Sequence, residues 1–141
     1  MNAMSDYEWW ETGRSALMKA AASGHADALN DALDAGIDVN SSIAGGVTAL
    51  MFAASSGRLG AVQALLAKGA SVNTQSDAGR TALMYAATAG YRDAVQALLD
   101  EGADVNAQNK NGWTALLDAS SEGHAEVVQL LKRAGSRAAD V

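Results

Sequence analysis

The 141 residues include no cysteine and no proline. Lack of cysteine excludes a disulfide framework, a thiolate metal ligand and a cysteine nucleophile. Aromatic residues are few, with one Phe, three Tyr and three Trp. No apolar run reaches the ~18 residues that a membrane-spanning helix needs. Basic residues form no block, and the net charge is −6, with a pI near 4.7. Free nucleic acid is therefore an unsuitable partner. Residues 1–10 carry no basic segment followed by an apolar stretch, so no secretory signal is expected and the expected location is the cytoplasm.

Hydrophobic residues nevertheless make up 49% of the chain, and Ala alone accounts for 32 positions. That is too apolar for a disordered chain. Ala is the strongest helix former and lets helices approach closely, which argues for packed helices. A chain of this length supports one domain.

The 14 glycines carry the organising signal. Gly24, Gly57, Gly90 and Gly123 are 33 residues apart, and so are Gly36, Gly69, Gly102 and Gly135, and Gly13, Gly46, Gly79 and Gly112. Leu17, Leu50, Leu83 and Leu116 keep the same step, as do Ser15, Thr48, Thr81 and Thr114. Such phase-locked columns mark an internal repeat without insertions. Within a unit, Thr81 reads as an N-cap, Ala82 to Ala89 as a two-turn helix, and Gly90 as its positive-φ stop. Tyr91 to Glu101 reads as a longer helix with Val95, Leu98 and Leu99 on one face. Gly102 closes it, and a polar stretch with hairpin signals follows. The same reading applies to the units starting at Gly13, Gly46 and Gly112. One unit cannot bury its apolar faces alone, so copies must stack into a solenoid.

The strings Gly79-Arg80-Thr81-Ala82-Leu83-Met84-Tyr85-Ala86-Ala87-Thr88-Ala89-Gly90 and Ala97-Leu98-Leu99-Asp100-Glu101-Gly102-Ala103-Asp104-Val105-Asn106-Ala107 resemble the ankyrin repeat. The resemblance runs over about residues 13 to 138. It implies an all-α ankyrin-repeat solenoid of helix–turn–helix units with β-hairpin-like loops. Units are expected at about 13–45, 46–78, 79–111 and 112–138, after an N-terminal segment or cap at 1–12. The family's Thr-Pro-Leu-His opening is here Thr48-Ala49-Leu50-Met51, Thr81-Ala82-Leu83-Met84 and Thr114-Ala115-Leu116-Leu117. Losing the pre-organised Pro and the Thr–His hydrogen bond should loosen the helix starts. The resemblance also places Asn40, Asn73 and Asn106 where some family members are hydroxylated. The simpler role is structural, with Asn bonding the loop backbone beneath the hairpin. The terminal units are expected to act as polar caps, through Asp27, Asn30, Asp31 and Asp34 at one end and Glu126, Gln129, Lys132 and Arg133 at the other. Residues 1–40 hold seven acidic and two basic groups, a net −5, while residues 106–141 balance at zero.

Nothing in the sequence assembles an active site, and no cofactor or metal is expected. His25 and His124 lie 99 residues apart, three periods, in a column shared with Arg58 and Tyr91. Their expected role is to bond nearby backbone. Ser55, Ser56, Ser120 and Ser121 are distant in the stack from His25, and Ser120 and Ser121, near His124 in sequence, face it across a turn with no evident third triad member. Gly45-Gly46 has no Lys at phosphate-loop spacing. The carboxylates form no calcium-loop pattern.

Recognition is then expected in the columns where units differ. Lys19, Phe52, Tyr85 and Asp118 share one column on the short helices. Ser55, Ser56, Thr88 and Glu122 follow at i+3 and i+4 and share its face. Opposite the Leu and Ala columns, this stripe reads as a groove floor, with Phe52 and Tyr85 either anchoring a partner or covering the gap between helices. Arg14, Val47, Arg80 and Trp113 form a hairpin column, with Asp77 and Lys110 at the tips. An exposed loop Trp is unusual, so Trp113 is the leading contact candidate, with Arg80 stacked on it. Trp9 and Trp10 fall where a first hairpin would be, and either cap the core or meet a partner or a second copy.

By family resemblance, the hairpin tips and short-helix face form a concave surface that binds another protein. The expected function is a protein–protein interaction module, an adaptor or inhibitor, and the expected state is a monomer. A self-associating structural unit is the alternative, ahead of a small-molecule binder or enzyme. Neither nucleic acid nor membrane is expected as a partner.

Overall fold

A computed structural model describes residues 6–135 of the chain, with side chains from Thr12 onward. Four helix pairs follow one another: α1 (Asp6–Ser23) with α2 (Ala26–Asp34), α3 (Ala49–Ser55) with α4 (Leu59–Ala67), α5 (Ala82–Ala89) with α6 (Arg92–Asp100), and α7 (Ala115–Ser121) with α8 (Ala125–Arg133). A two-stranded antiparallel ribbon, β1 (Ser42–Ile43) and β2 (Val47–Thr48), pairs Ser42 with Thr48 and Ile43 with Val47. The helix over 82–89 lies where the sequence places it, and Thr81 Oγ1 accepts from the Met84 amide at 3.3 Å. Thr48 and Thr114 cap α3 and α7 in the same way.

The first helices pack in the order α1, α3, α5, α7, and the second helices in the order α2, α4, α6, α8. The first-helix row is the closer-packed one. Its seams are made of Ala49, Ala53, Ala54, Ala82, Ala86 and Ala87, all buried. Small side chains let helix axes approach, whereas the second helices stand apart around open clefts, one of about 630 Å³ between α6 and α8. The stack therefore curves with the first-helix row on the inside. Leu17, Leu50, Leu83 and Leu116 are buried in every pair, against a second-helix contribution that includes Leu65, Leu98 and Leu131.

Two sets of side chains tie each pair to its neighbour. Asn40 Nδ2 donates to the Gly69 carbonyl at 3.3 Å, while its Oδ1 accepts from the Ser71 amide at 2.7 Å. Asn73 repeats this with the Gly102 carbonyl (3.1 Å) and the Asp104 amide (2.7 Å). Each asparagine thus satisfies backbone groups of the next loop, as the structural role expected for this column requires. The second set stands in the histidine column. Arg58 Nε donates to the Ala22 carbonyl (3.2 Å), and His124 Nε2 donates to that of Thr88 (2.9 Å). Both contacts reach back 36 residues onto the last turn of the preceding first helix. Tyr91, between them in the column, lays its ring against Gly57.

The first unit departs from the expected pattern. α1 runs unbroken through Gly13 and Ser15, so these are neither a hairpin turn nor a helix cap, and the boundary expected between residues 12 and 13 falls inside a helix. Later hairpins are held by the one before, through the Asp77 amide to the Gly45 carbonyl (2.8 Å) and the Lys110 amide to the Ala78 carbonyl (3.0 Å). In α1 the backbone around Gly13 is bonded within the helix instead. Every columnar glycine except Gly13 has positive φ. Gly13 is instead required by close approach, because a β carbon there would collide with the buried Ile37 side chain.

Gly90 combines both demands. Its φ is +81°, and a β carbon would lie 2.5 Å from the His124 ring. Gly102, at φ +89°, has nothing within 4 Å of that position. Gly102→Ala should therefore lose only the backbone term, about 1 kcal/mol. Gly90→Ala should lose distinctly more, because it also displaces the His124 contact. Urea denaturation midpoints should fall in the order wild type, Gly102→Ala, Gly90→Ala. Equal midpoints would show that the His124 staple is not packed.

Candidate protein-binding surface

The inner row of helices presents its variable columns along the concave side. Three positions per unit shape it: the residue before the capping threonine, the fourth helical residue, and the residues one turn further on. A side chain before an N-cap commonly packs on the fourth helical residue, closing the helix start. Val47 and Phe52 occupy these positions on α3, and both are half-buried against the core. On α5 the pair is Arg80 and Tyr85, with the guanidinium carbon 4.8 Å from the ring centroid. The ring under Arg80 is thus Tyr85, not Trp113 as the sequence suggested. On α7 the pair is Trp113 and Asp118. A carboxylate gives an indole no apolar seat, and Trp113 stands 40% exposed.

Asp118 turns to Arg80 of the preceding unit. Contrary to its expected place on an open stripe, it is only 8% exposed. Arg80 Nη2 donates to Thr88 Oγ1 at 2.9 Å and lies 3.8 Å from Asp118 Oδ2, an ion pair without a hydrogen bond. The Thr88 hydroxyl in turn donates to the Met84 carbonyl at 2.8 Å. Arg80 Nε and Asp118 Oδ2 are buried without a hydrogen-bond partner among the described residues. Burial is the largest influence on the Asp118 carboxyl and pushes its pKa above the ordinary 3.8. The Arg80 charge and the Thr88 hydroxyl act against that rise, and Glu122 adds to it. The structure brings Arg80, from the hairpin column, together with Tyr85, Thr88 and Asp118 of the short-helix stripe as one cluster across two units.

The remaining candidates surround it. Lys19, Ser55 and Glu122 are exposed, and Ser56 is half-buried as the C-cap of α3. Asp77 and Lys110 are exposed at the hairpin tips. Arg14 is not a hairpin residue. It lies on α1 and donates from Nη1 to the Ser42 carbonyl at 2.7 Å, so its guanidinium braces the first ribbon. The Trp9 and Trp10 side chains lie outside the described residues, although their backbone belongs to α1. Among the described residues, no group of three His, Cys, Asp or Glu side chains could hold a metal, and no helix is long and apolar enough to cross a membrane. The sequence reading missed the reach of Arg58 and Tyr91, whose dissimilar chemistry hides a shared task. It also missed Leu117, which is 42% exposed where its column mates are buried.

The raised Asp118 pKa fixes a direction of pH dependence. Between the unfolded value and the higher folded value, the folded chain holds more protons, so this group's contribution to stability falls as pH rises through that window. Asp118→Asn carries no such charge. Its stability relative to wild type should improve as pH is raised from about 4 toward neutrality. Thermal melts of both proteins across that range test this, and a constant difference would contradict it.

A family model described as Ankyrin repeats (3 copies) matches residues 2–76 and 68–140. No curated protein matches the chain. The matched spans, the four helix pairs on a 33-residue step and the capped first helices agree with one another, and the chain belongs to the ankyrin-repeat family.

Proposed function

We propose that this chain works by holding one protein partner along its concave side, as an adaptor or as an inhibitor that occupies that partner. Ankyrin repeats are in general protein–protein interaction modules. The observation that carries the reading here is Trp113, a large indole 40% exposed on the hairpin row because Asp118 offers it no seat. Exposed aromatics of this size anchor interfaces by burying area at little conformational cost. Phe52 and Tyr85 add half-buried rings on the same side. Arg80, Thr88 and Asp118 form a polar cluster already held in place, and Lys19, Ser55, Ser56, Val47, Asp77, Lys110 and Glu122 complete the surround. A surface fixed before docking loses little entropy on binding.

The test is affinity capture from the source cell with wild type, a triple variant (Trp113→Ala, Tyr85→Ala, Phe52→Ala) and a convex-side control (Gln63→Ala, Lys68→Ala). Wild type and control should retain the same partner, and the triple variant should lose it while keeping its helicity. Each anchor truncation should cost about 2 kcal/mol or more, roughly a thirtyfold rise in Kd. Capture that survives the triple variant, or fails only with the control, would place recognition elsewhere.

A further inference from the structure

The two ends of the stack carry the two halves of its interior seam. Ala49, Ala82 and Ala115 on the first helices are buried, as are Ala61, Ala94 and Val127 on the second helices. Their counterparts in the first pair, Ala16 and Ala28, are exposed. Columns buried in every pair but the first are those that face a preceding pair. Ala16 and Ala28 accordingly line an apolar groove of about 340 Å³ with Gly13, Ala32 and Ile37. The opposite pattern marks the face toward a following pair. Met18, Met51 and Met84 are 4%, 1% and 1% exposed, while the fourth member, Leu117, is 42% exposed. Among the described residues, the polar side chains expected to cap the two ends leave these apolar positions exposed.

One position differs in kind between interior and ends. Leu66 shares a cleft with Ala97 across α4 and α6, and Leu99 shares one with Leu130 across α6 and α8. Continuing those two columns by one more period sets Lys132 against Asp31 of another copy. Apolar faces apolar inside the stack, and cation faces carboxylate at its ends. The overall charge is divided in the same sense, with a net −5 over residues 1–40 and Lys132 and Arg133 side by side on α8.

We infer that copies of this chain stack head to tail, the α7–α8 pair of one on the α1–α2 pair of the next. Leu117 enters the Ala16–Ala28 groove, and Lys132 meets Asp31. A second copy is the occupant because the complementarity, in both shape column and charge, lies between the two ends of the same chain. The contact joins two different surfaces, so it propagates as an open row rather than closing as a dimer. It leaves the concave row free and does not rest on the partner-binding reading.

Light scattering and sedimentation of the whole chain across a dilution series at low salt test this. The weight-average mass of wild type should rise with concentration past that of two chains. Asp31→Lys and Lys132→Asp should each remain single chains, since each sets like charges at the junction. Mixing the two variants restores an opposite pair at both junctions and should restore growth. Leu117→Ser should lose association with helicity unchanged, whereas the concave triple variant should associate as wild type does. A wild type that stays a single chain throughout, stops at two, or associates equally well with either charge reversal would overturn the inference, as would a mixture that does not grow.

Discussion

Each helix pair in this chain is sealed by the pairs beside it. A unit of 33 residues contributes one buried leucine to its first helix, at the second helical position in α3, α5 and α7, and a set of alanines at its sides. Two antiparallel helices of that size leave most of their apolar surface open, and only stacking covers it. The alanine seams bring the first helices close and so bend the row inward. That bend is what gives the variable columns a common concave side. The proposed recognition surface is therefore a by-product of how the core is closed.

Bonds between units follow the same economy of position. The asparagine column joins each loop to the next through backbone partners, and its residues are identical because the task needs both an acceptor and a donor. The column after the inter-helix glycine also reaches back one unit, yet holds Arg58, Tyr91 and His124. Here the requirement is looser, a flat group lying over a glycine, and a guanidinium, a phenol ring or an imidazole meets it. Identity within a column thus reports how narrow the chemical demand is, and does not by itself separate structural from functional positions.

That distinction explains what was legible in the sequence. The glycine and threonine columns recur at fixed spacing, so helix bounds such as 82–89, the caps and the turns could be read directly. The first unit could not, because Gly13 and Ser15 stand in the same columns as the later turn glycines and capping threonines yet lie inside α1, so column membership alone does not decide between turn and helix. Asp118 was read as exposed because its column mates Lys19, Phe52 and Tyr85 lie outward. Its burial follows from Arg80, 38 positions away, which enters the same space from the preceding unit. Leu117 looks like one more core position in its column, and its exposure becomes visible only when the neighbour on that side is considered.

The central claim is that stability here is passed between adjacent pairs rather than held in one shared core. Amide hydrogen exchange measures this directly, because local opening should follow the number of neighbours a helix has. The account predicts slowest exchange in α3 and α5, which are covered on both sides, and fastest among the helices in α2 and α8 at the two ends. Uniform protection from α2 to α8, with all amides exchanging through a single global opening, would contradict it.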